Sequence, residues 1–403
     1  MKLINIMELY LDNASTTKPD KTVLENFNKY ILKYSNPSAV YSTSGIAAKN
    51  DLNKARKQVA DYIGAEPEEI YFTSGSTESN NWAIKGFISA NDNCMSFITD
   101  QAEHPSVFNV AKYLLSKNEL HIAVSEVDSY GRFLYEDLKS LLKQAKDLDA
   151  DDIPIVSVMM ANNETGVIND ISSLAKCVHE YGGVIHVDAT QAITHMPINV
   201  KKYDIDMMSA SGHKFGCFSG IGFLYIKSGI KIDPLLHGGH QEFGMRGGTE
   251  NYGYAMCLGQ RLEDLKKNDQ MRWLTENRIA NAFYNATFEV CKKNGLECHS
   301  NSLGECIPNI KSITIPKIAA SDLITLMDGA GITISAGSAC NSGTNEPSRV
   351  LMAIGLNENL AKNTIRISVS ADTPIDSIDY YKTKLDGFLK LLKDTEDACQ
   401  SMD

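Results

Sequence analysis

From about residue 45 to residue 260, short apolar runs alternate with segments of helical periodicity. That alternation limits the chain to helices layered on a mostly parallel sheet. Runs at 70–73, 95–99, 120–124, 155–160, 184–188, 205–209 and 222–226 predict seven strands. The last follows its predecessor too closely for a crossover helix, so it is expected to run antiparallel. Helical periodicity continues over 253–293. Beyond it, runs at 311–315 and 364–369 mix with helical segments near 347–354 and 374–393. The expected fold class is α/β: a large domain over residues 20–260, and a smaller α+β domain built from residues 1–19 and 261–403.

Composition narrows the function. The 403 residues are 43% hydrophobic with a formal net charge of −11, which supplies a core and argues against a nucleic-acid or anionic-membrane surface. No apolar run approaches a membrane span. The nine cysteines show neither a C-x-x-C pair nor zinc spacing, so free thiols in a reducing cytoplasm, and no metal site, are expected. The acidic stretch 147–152 reads as a solvated turn.

Two residues carry most of the chemistry. Asp188 ends one apolar run and Lys214 closes the next. In open α/β sheets, ligands collect outside the carboxyl ends of strands. A lysine amine for a Schiff base and a carboxylate to keep a pyridine nitrogen protonated are what pyridoxal phosphate (PLP) needs. Taken singly, each is more often a capping aspartate or a surface lysine; their pairing changes that balance.

Other residues gather around this pair. Ser211 and His213 offer donors for a phosphate, as does the turn Thr73–Asn81, with Ser76 and Thr77 at a helix start. An ordinary N-cap box uses the same residues. His104 follows another strand and is placed to stack on a ring and exchange protons. Asn163 sits in an amide-rich turn. Cys340 lies among Gly, Ser and Asn with no packing reason to be there, which suggests an accessible thiolate nucleophile. Arg366, among apolar strand residues, wants a carboxylate, either a substrate's or a structural partner's.

With 10–17, 36–38, 103–107, 161–166, 186–191, 211–214, 238–249 and 337–348 in this order, the chain resembles the cysteine desulfurases. These belong to the class V aminotransferase group of fold type I PLP enzymes. The loop around Cys340 is similar to the longer version of the branch that feeds iron–sulfur cluster assembly. The resemblance implies a homodimer in which Lys214 binds the coenzyme covalently, Asp188 meets its ring nitrogen and Gln191 its phenolic oxygen. It places Ser76, Thr77, Ser211 and His213 on the phosphate, joined by Thr249 of the partner subunit, and stacks His104 on the ring. Asn163 and Arg366, with Asn13 nearby, are implied for the substrate carboxylate. The implied reaction takes L-cysteine to L-alanine and leaves a persulfide on Cys340 for a sulfur-acceptor protein. Selenocysteine lyase and a true class V aminotransferase are the rivals. The chain departs from the family pattern at Cys217-Phe218-Ser219, where Gly-Pro-Lys is usual, at His240, where glycine is usual, and at Tyr41 or Ser42, where many relatives have histidine.

Overall fold

The computed structural model describes residues 8–32, 36–117, 120–337 and 346–400. The chain opens with β1 (Leu9–Tyr10), α1 (Lys21–Ile31) and α2 (Thr43–Ile63). Strands and helices then alternate: β2 (Ile70–Thr73), α3 (Ser76–Ala90), β3 (Ser96–Asp100), α4 (Pro105–Leu115), β4 (His121–Ser125), α5 (Tyr135–Leu148), β5 (Ile155–Met159), α6 (Ile171–Glu180) and β6 (Val184–Asp188). β7 (Met207–Ser211), β8 (Gly222–Ile226), α7 (Tyr252–Lys266) and α8 (Asp269–Lys293) follow. The last part holds β9 (His299–Ser300), β10 (Ile310–Thr314), α9 (Ala320–Gly329), β11 (Ile332–Thr333), β12 (Ser335–Ala336), α10 (Arg349–Ala353), α11 (Glu358–Lys362), β13 (Thr364–Ser368) and α12 (Ile378–Gln400).

The large sheet has seven strands in the order β2-β8-β7-β6-β5-β3-β4. β8 alone runs against its neighbours, as its short connection requires. β3, β5, β6, β7 and β8 are buried at every position. That pattern follows from helices covering both faces, and it explains the continuous apolar runs in the sequence. One face packs on Trp82, Ile84, Phe87, Val107 and Val110 of α3 and α4. The other meets α2, α5, α6 and α7.

α2 shows how local sequence builds this layer. The Ser42 side chain caps its start, accepting from Gly45 N at 3.0 Å, and Gly64 ends it with φ of +76°. Between them Ala48, Leu52, Ala55, Val59 and Ile63 recur every three or four residues and are buried; each large side chain so placed contributes about 1.5–3 kcal/mol.

The apolar residues of α7 belong to the large core through Leu265, and those of α8 join a second core with Leu9, Leu11, Ile313, Ile365 and Leu385. The helical stretch 253–293 is thus two helices, one for each core. β1 pairs with β11 in the smaller unit, and Ala14, a few residues on, packs in the larger one. The first residues therefore bridge both units beside the site. One expectation is corrected: Asp152 of the 147–152 stretch is buried, because its carboxylate accepts from Met95 N at 2.8 Å. The short helices α9 and α11 were not expected.

Candidate active site

Six strands of the large sheet run parallel to a common end, where the loops after five of them, β2, β3, β5, β6 and β7, surround a cavity of about 360 Å³. Its walls include Ser76 and Thr77, His104, Asn163, Asp188 and Gln191, His213 and Lys214, and Arg366. Apart from Arg366, which lies within β13, these residues meet here because each terminates, or closely follows, a strand or opens a helix.

Lys214 ends a short 3-10 turn after β7. The N-terminal segment holds that turn: Thr17 N donates to the His213 carbonyl at 2.7 Å, and Thr17 Oγ1 to the Lys214 carbonyl at 3.0 Å. Lys214 Nζ donates to the carbonyls of Ala14 and Ser15, each at 2.8 Å. Gln191 Nε2 also reaches Ala14 O, at 2.8 Å.

Asp188, 2% exposed, ends β6. Its Oδ1 accepts from Thr190 N at 2.9 Å and its Oδ2 from Asn80 Nδ2 at 2.7 Å. Asn80 Nδ2 also donates to Ser106 Oγ at 2.8 Å, and Ser106 Oγ lies 2.7 Å from His104 Nδ1. His104 caps α4, with Pro105 in the first helical position, where its missing N–H costs nothing. Burial holds His104 below the ordinary imidazole range; Asp188 opposes this, while Lys214 and Arg349 add to it. Within β6, His186 is held by Ser157 Oγ of β5 and Ser209 Oγ of β7, each at 2.9 Å, and burial pushes it down to about 4.

Two further carboxyls lie behind this wall. Asp100 is pushed up to about 7 by burial, and Glu103 is raised by burial and by the charges of Asp100 and Asp188. Arg349 of α10 donates to the carbonyls of Gln101 and Glu103, next to His104. Ser348 Oγ donates to the buried Glu164. Sequence reasoning passed over Asn80, Ser106, Glu103, Glu164 and Arg349.

The other expected residues fall as follows. Arg366, 1% exposed, lines the cavity; Nη2 donates to Asp12 Oδ1 at 2.8 Å and Ser15 Oγ at 2.7 Å, and Nη1 to the Asn163 carbonyl at 2.7 Å. A structural carboxylate partner is thus present. Asn13 donates to the Ser368 carbonyl at 3.1 Å and does not line this cavity. Ser211 is buried just behind it. Thr249 is exposed and away from the cavity of its own chain. Cys340 lies outside the described residues.

Two residues of the Cys217-Phe218-Ser219 departure have a packing account. Phe218 stacks on Tyr254 at 4.9 Å and meets Phe27 edge-on at 4.9 Å. Cys217 is buried, and burial pushes its thiol up to about 12, so it is a core residue rather than a nucleophile.

Residues 9–381 match the family model Aminotransferase class-V. The chain belongs to the class-V aminotransferase family. Within it, the chain is 37% identical to the protein named cysteine desulfurase IscS of Methanosarcina thermophila, over 92% of this chain and 89% of that one. Among solved structures, a NifS-like protein superposes with a TM-score of 0.86 at 31% identity, covering 96% of this chain and 100% of its own. The structure titled "SspA in complex with cysteine" gives a TM-score of 0.75 at 30% identity, covering 90% and 99%. This member of the family has the fold type I architecture, and the family's coenzyme is PLP.

The cavity fits that coenzyme on its own evidence. α3 starts at Gly75 with φ of +149° and no side-chain cap bond, so its first amides face an opening flanked by Ser76 and Thr77. A Cβ at Gly75 would fall 3.3 Å from Ser211 Oγ, which reserves this cradle for glycine. His213, pushed down to about 4 by burial and then by Lys214, is a neutral donor there. Across the cavity stands the buried carboxylate of Asp188, suited to a protonated ring nitrogen.

Proposed function

We propose that this chain is a PLP-dependent cysteine desulfurase, converting L-cysteine to L-alanine and passing the sulfur on as a persulfide of Cys340. The carrying observation is the meeting of Lys214 and Asp188, from the ends of paired strands β7 and β6, in one cavity with an open helix start. The relatives named cysteine desulfurase and the solved cysteine complex support the substrate.

When bound, PLP supplies an electron sink for the carbanion at the substrate Cα. The chain's residues do the rest. Asp188 would keep a proton on the ring nitrogen by pairing with it. Ser76, Thr77, Ser211, His213 and the first amides of α3 would hold the phosphate, and Gln191 the phenolic oxygen. Asn163 and Arg366 would orient the substrate carboxylate. Lys214 Nζ would take the Cα proton as general base. The Cys340 thiolate then attacks the substrate sulfur. A sulfur–sulfur bond would form and the Cβ–S bond would break with its electron pair left on carbon; alanine would follow once Cβ takes a proton and Cα regains the one that Lys214 removed.

The working assembly in this reading is a homodimer, with Thr249 of the partner subunit completing the phosphate site. The proposed compartment is the cytoplasm, in keeping with the seven described cysteines, all free thiols. Among the described residues no helix is long and apolar enough to cross a membrane. The persulfide goes to a sulfur-acceptor protein, for iron–sulfur cluster assembly or another thiolation.

The test is turnover of L-cysteine with alanine quantified. Wild type should release alanine without any keto acid, and Cys340→Ala should not. Cysteine consumed only when a keto acid is added, with the matching amino acid formed and no sulfur released, would indicate an aminotransferase; full activity of Cys340→Ala on selenocysteine alone would indicate a lyase.

A further inference from the structure

The bonds around Asn80 fix where protons sit. An ionised carboxylate only accepts, so the nitrogen of the Asn80 amide, not its oxygen, faces Asp188 Oδ2 across 2.7 Å. The second proton of that nitrogen goes to Ser106 Oγ at 2.8 Å. Ser106 Oγ therefore accepts from Asn80, and its own proton is available to His104 Nδ1, 2.7 Å away. The backbone N–H of Ser106 points at the same Nδ1 from 3.1 Å. Two donors converge on Nδ1, so a proton placed there would face an N–H directly. A neutral His104 must carry its proton on Nε2.

We propose that Asn80 is a positioning residue: it joins Asp188 and His104 into one hydrogen-bonded unit and holds His104 as the neutral Nε2–H tautomer, so His104 stacks and donates but takes no proton from the substrate. The consequence for the reaction rests on the function proposed above; the proton order does not. The charged groups facing His104 are Asp188 at the end of β6, Lys214 after β7 and Arg349 on α10. Burial and the two cations disfavour an imidazolium, and Asp188 alone favours it. The role is narrower than the proton exchange expected from sequence, and it leaves Lys214 as the single base at the Cα.

The test is 15N NMR of the full-length protein as isolated, labelled at histidine, with His104→Ala assigning the signals. Wild type should show an unprotonated Nδ1 and a protonated Nε2 for neutral His104, with a titration midpoint below the ordinary imidazole value of about 6.5. Asn80→Leu frees the Ser106 oxygen to accept and strips a donor from Asp188, so His104 should bind protons about tenfold more tightly, a rise of about one pH unit. Should that variant fail to fold, Ser106→Ala, which removes the hydroxyl donor, should move His104 the same way. A protonated Nδ1, a wild-type midpoint near 6.5, or variants that titrate like wild type would overturn the proposal. If wild type releases no alanine from cysteine yet shows this tautomer, the proposed function falls and the proton order stands.

Discussion

Lys214 Nζ and Gln191 Nε2 donate to one and the same oxygen, the backbone carbonyl of Ala14, each across 2.8 Å. The N-terminal segment is thus a wall of the site. A carbonyl holds the amine in place without supplying a carboxylate that would fix its positive charge. Lys214→Ala should leave the fold intact, because Lys214 contributes little packing at the cavity edge, and should cut alanine release about a thousandfold or more, the scale of losing a general base and covalent partner together. Circular dichroism and alanine quantification on the same sample check both halves.

His186 gives the pH prediction. Its folded midpoint, about 4, lies below the unfolded value of about 6.5. A depressed group of this kind contributes stability that is present above the unfolded midpoint and is lost as pH falls towards the folded one. The contribution of His186 should therefore be lost between about pH 6.5 and about pH 4, at up to about 1.4 kcal/mol per pH unit. His186→Gln should flatten that limb in chemical denaturation measured across the range. Asp100 works in the opposite sense: with its midpoint raised to about 7, its contribution is present in acid and is lost as pH rises towards 7.

Much of this site was legible because its residues end strands. Asp188 and Lys214 stand out in sequence because apolar runs stop at them, and the sheet brings strand ends together. Asn80 was hidden, since nothing in a helix start says which side chain turns down onto a strand. Asp12 could not be matched to Arg366 from spacing, because the pair closes only when the N-terminal segment crosses beside β13, where Asp12 and Ser368 form a bridge. Helices α9 and α11 are short, and tertiary packing outweighs local propensity there.

The Arg366–Asp12 pair separates packing from function. Arg366 is 1% exposed, and its Nε has no partner among the described residues. Asp12→Ala would leave a buried guanidinium without its carboxylate, at an expected cost of about 3–5 kcal/mol. The denaturation midpoint should fall well below that of wild type, and Arg366→Leu, which removes the charge itself, should cost less.

Thr249 tests the assembly. Chains carrying Lys214→Ala and chains carrying Thr249→Val should each bind or turn over poorly alone. Mixed dimers should regain one intact site, because Lys214 of one chain would meet Thr249 of the other. Thr249→Val alone should weaken coenzyme binding about tenfold, the scale of one hydrogen bond to a charged group. Titration of mixed and unmixed dimers with coenzyme, followed by its absorbance, reads this directly.

The most direct measurement is borohydride reduction of the isolated protein, followed by proteolysis and mass spectrometry. A phosphopyridoxyl group on the peptide containing Lys214, and on no other lysine, is the expected result. The same group on a different lysine, or none while cysteine is still turned over to alanine, would contradict the assignment of this cavity.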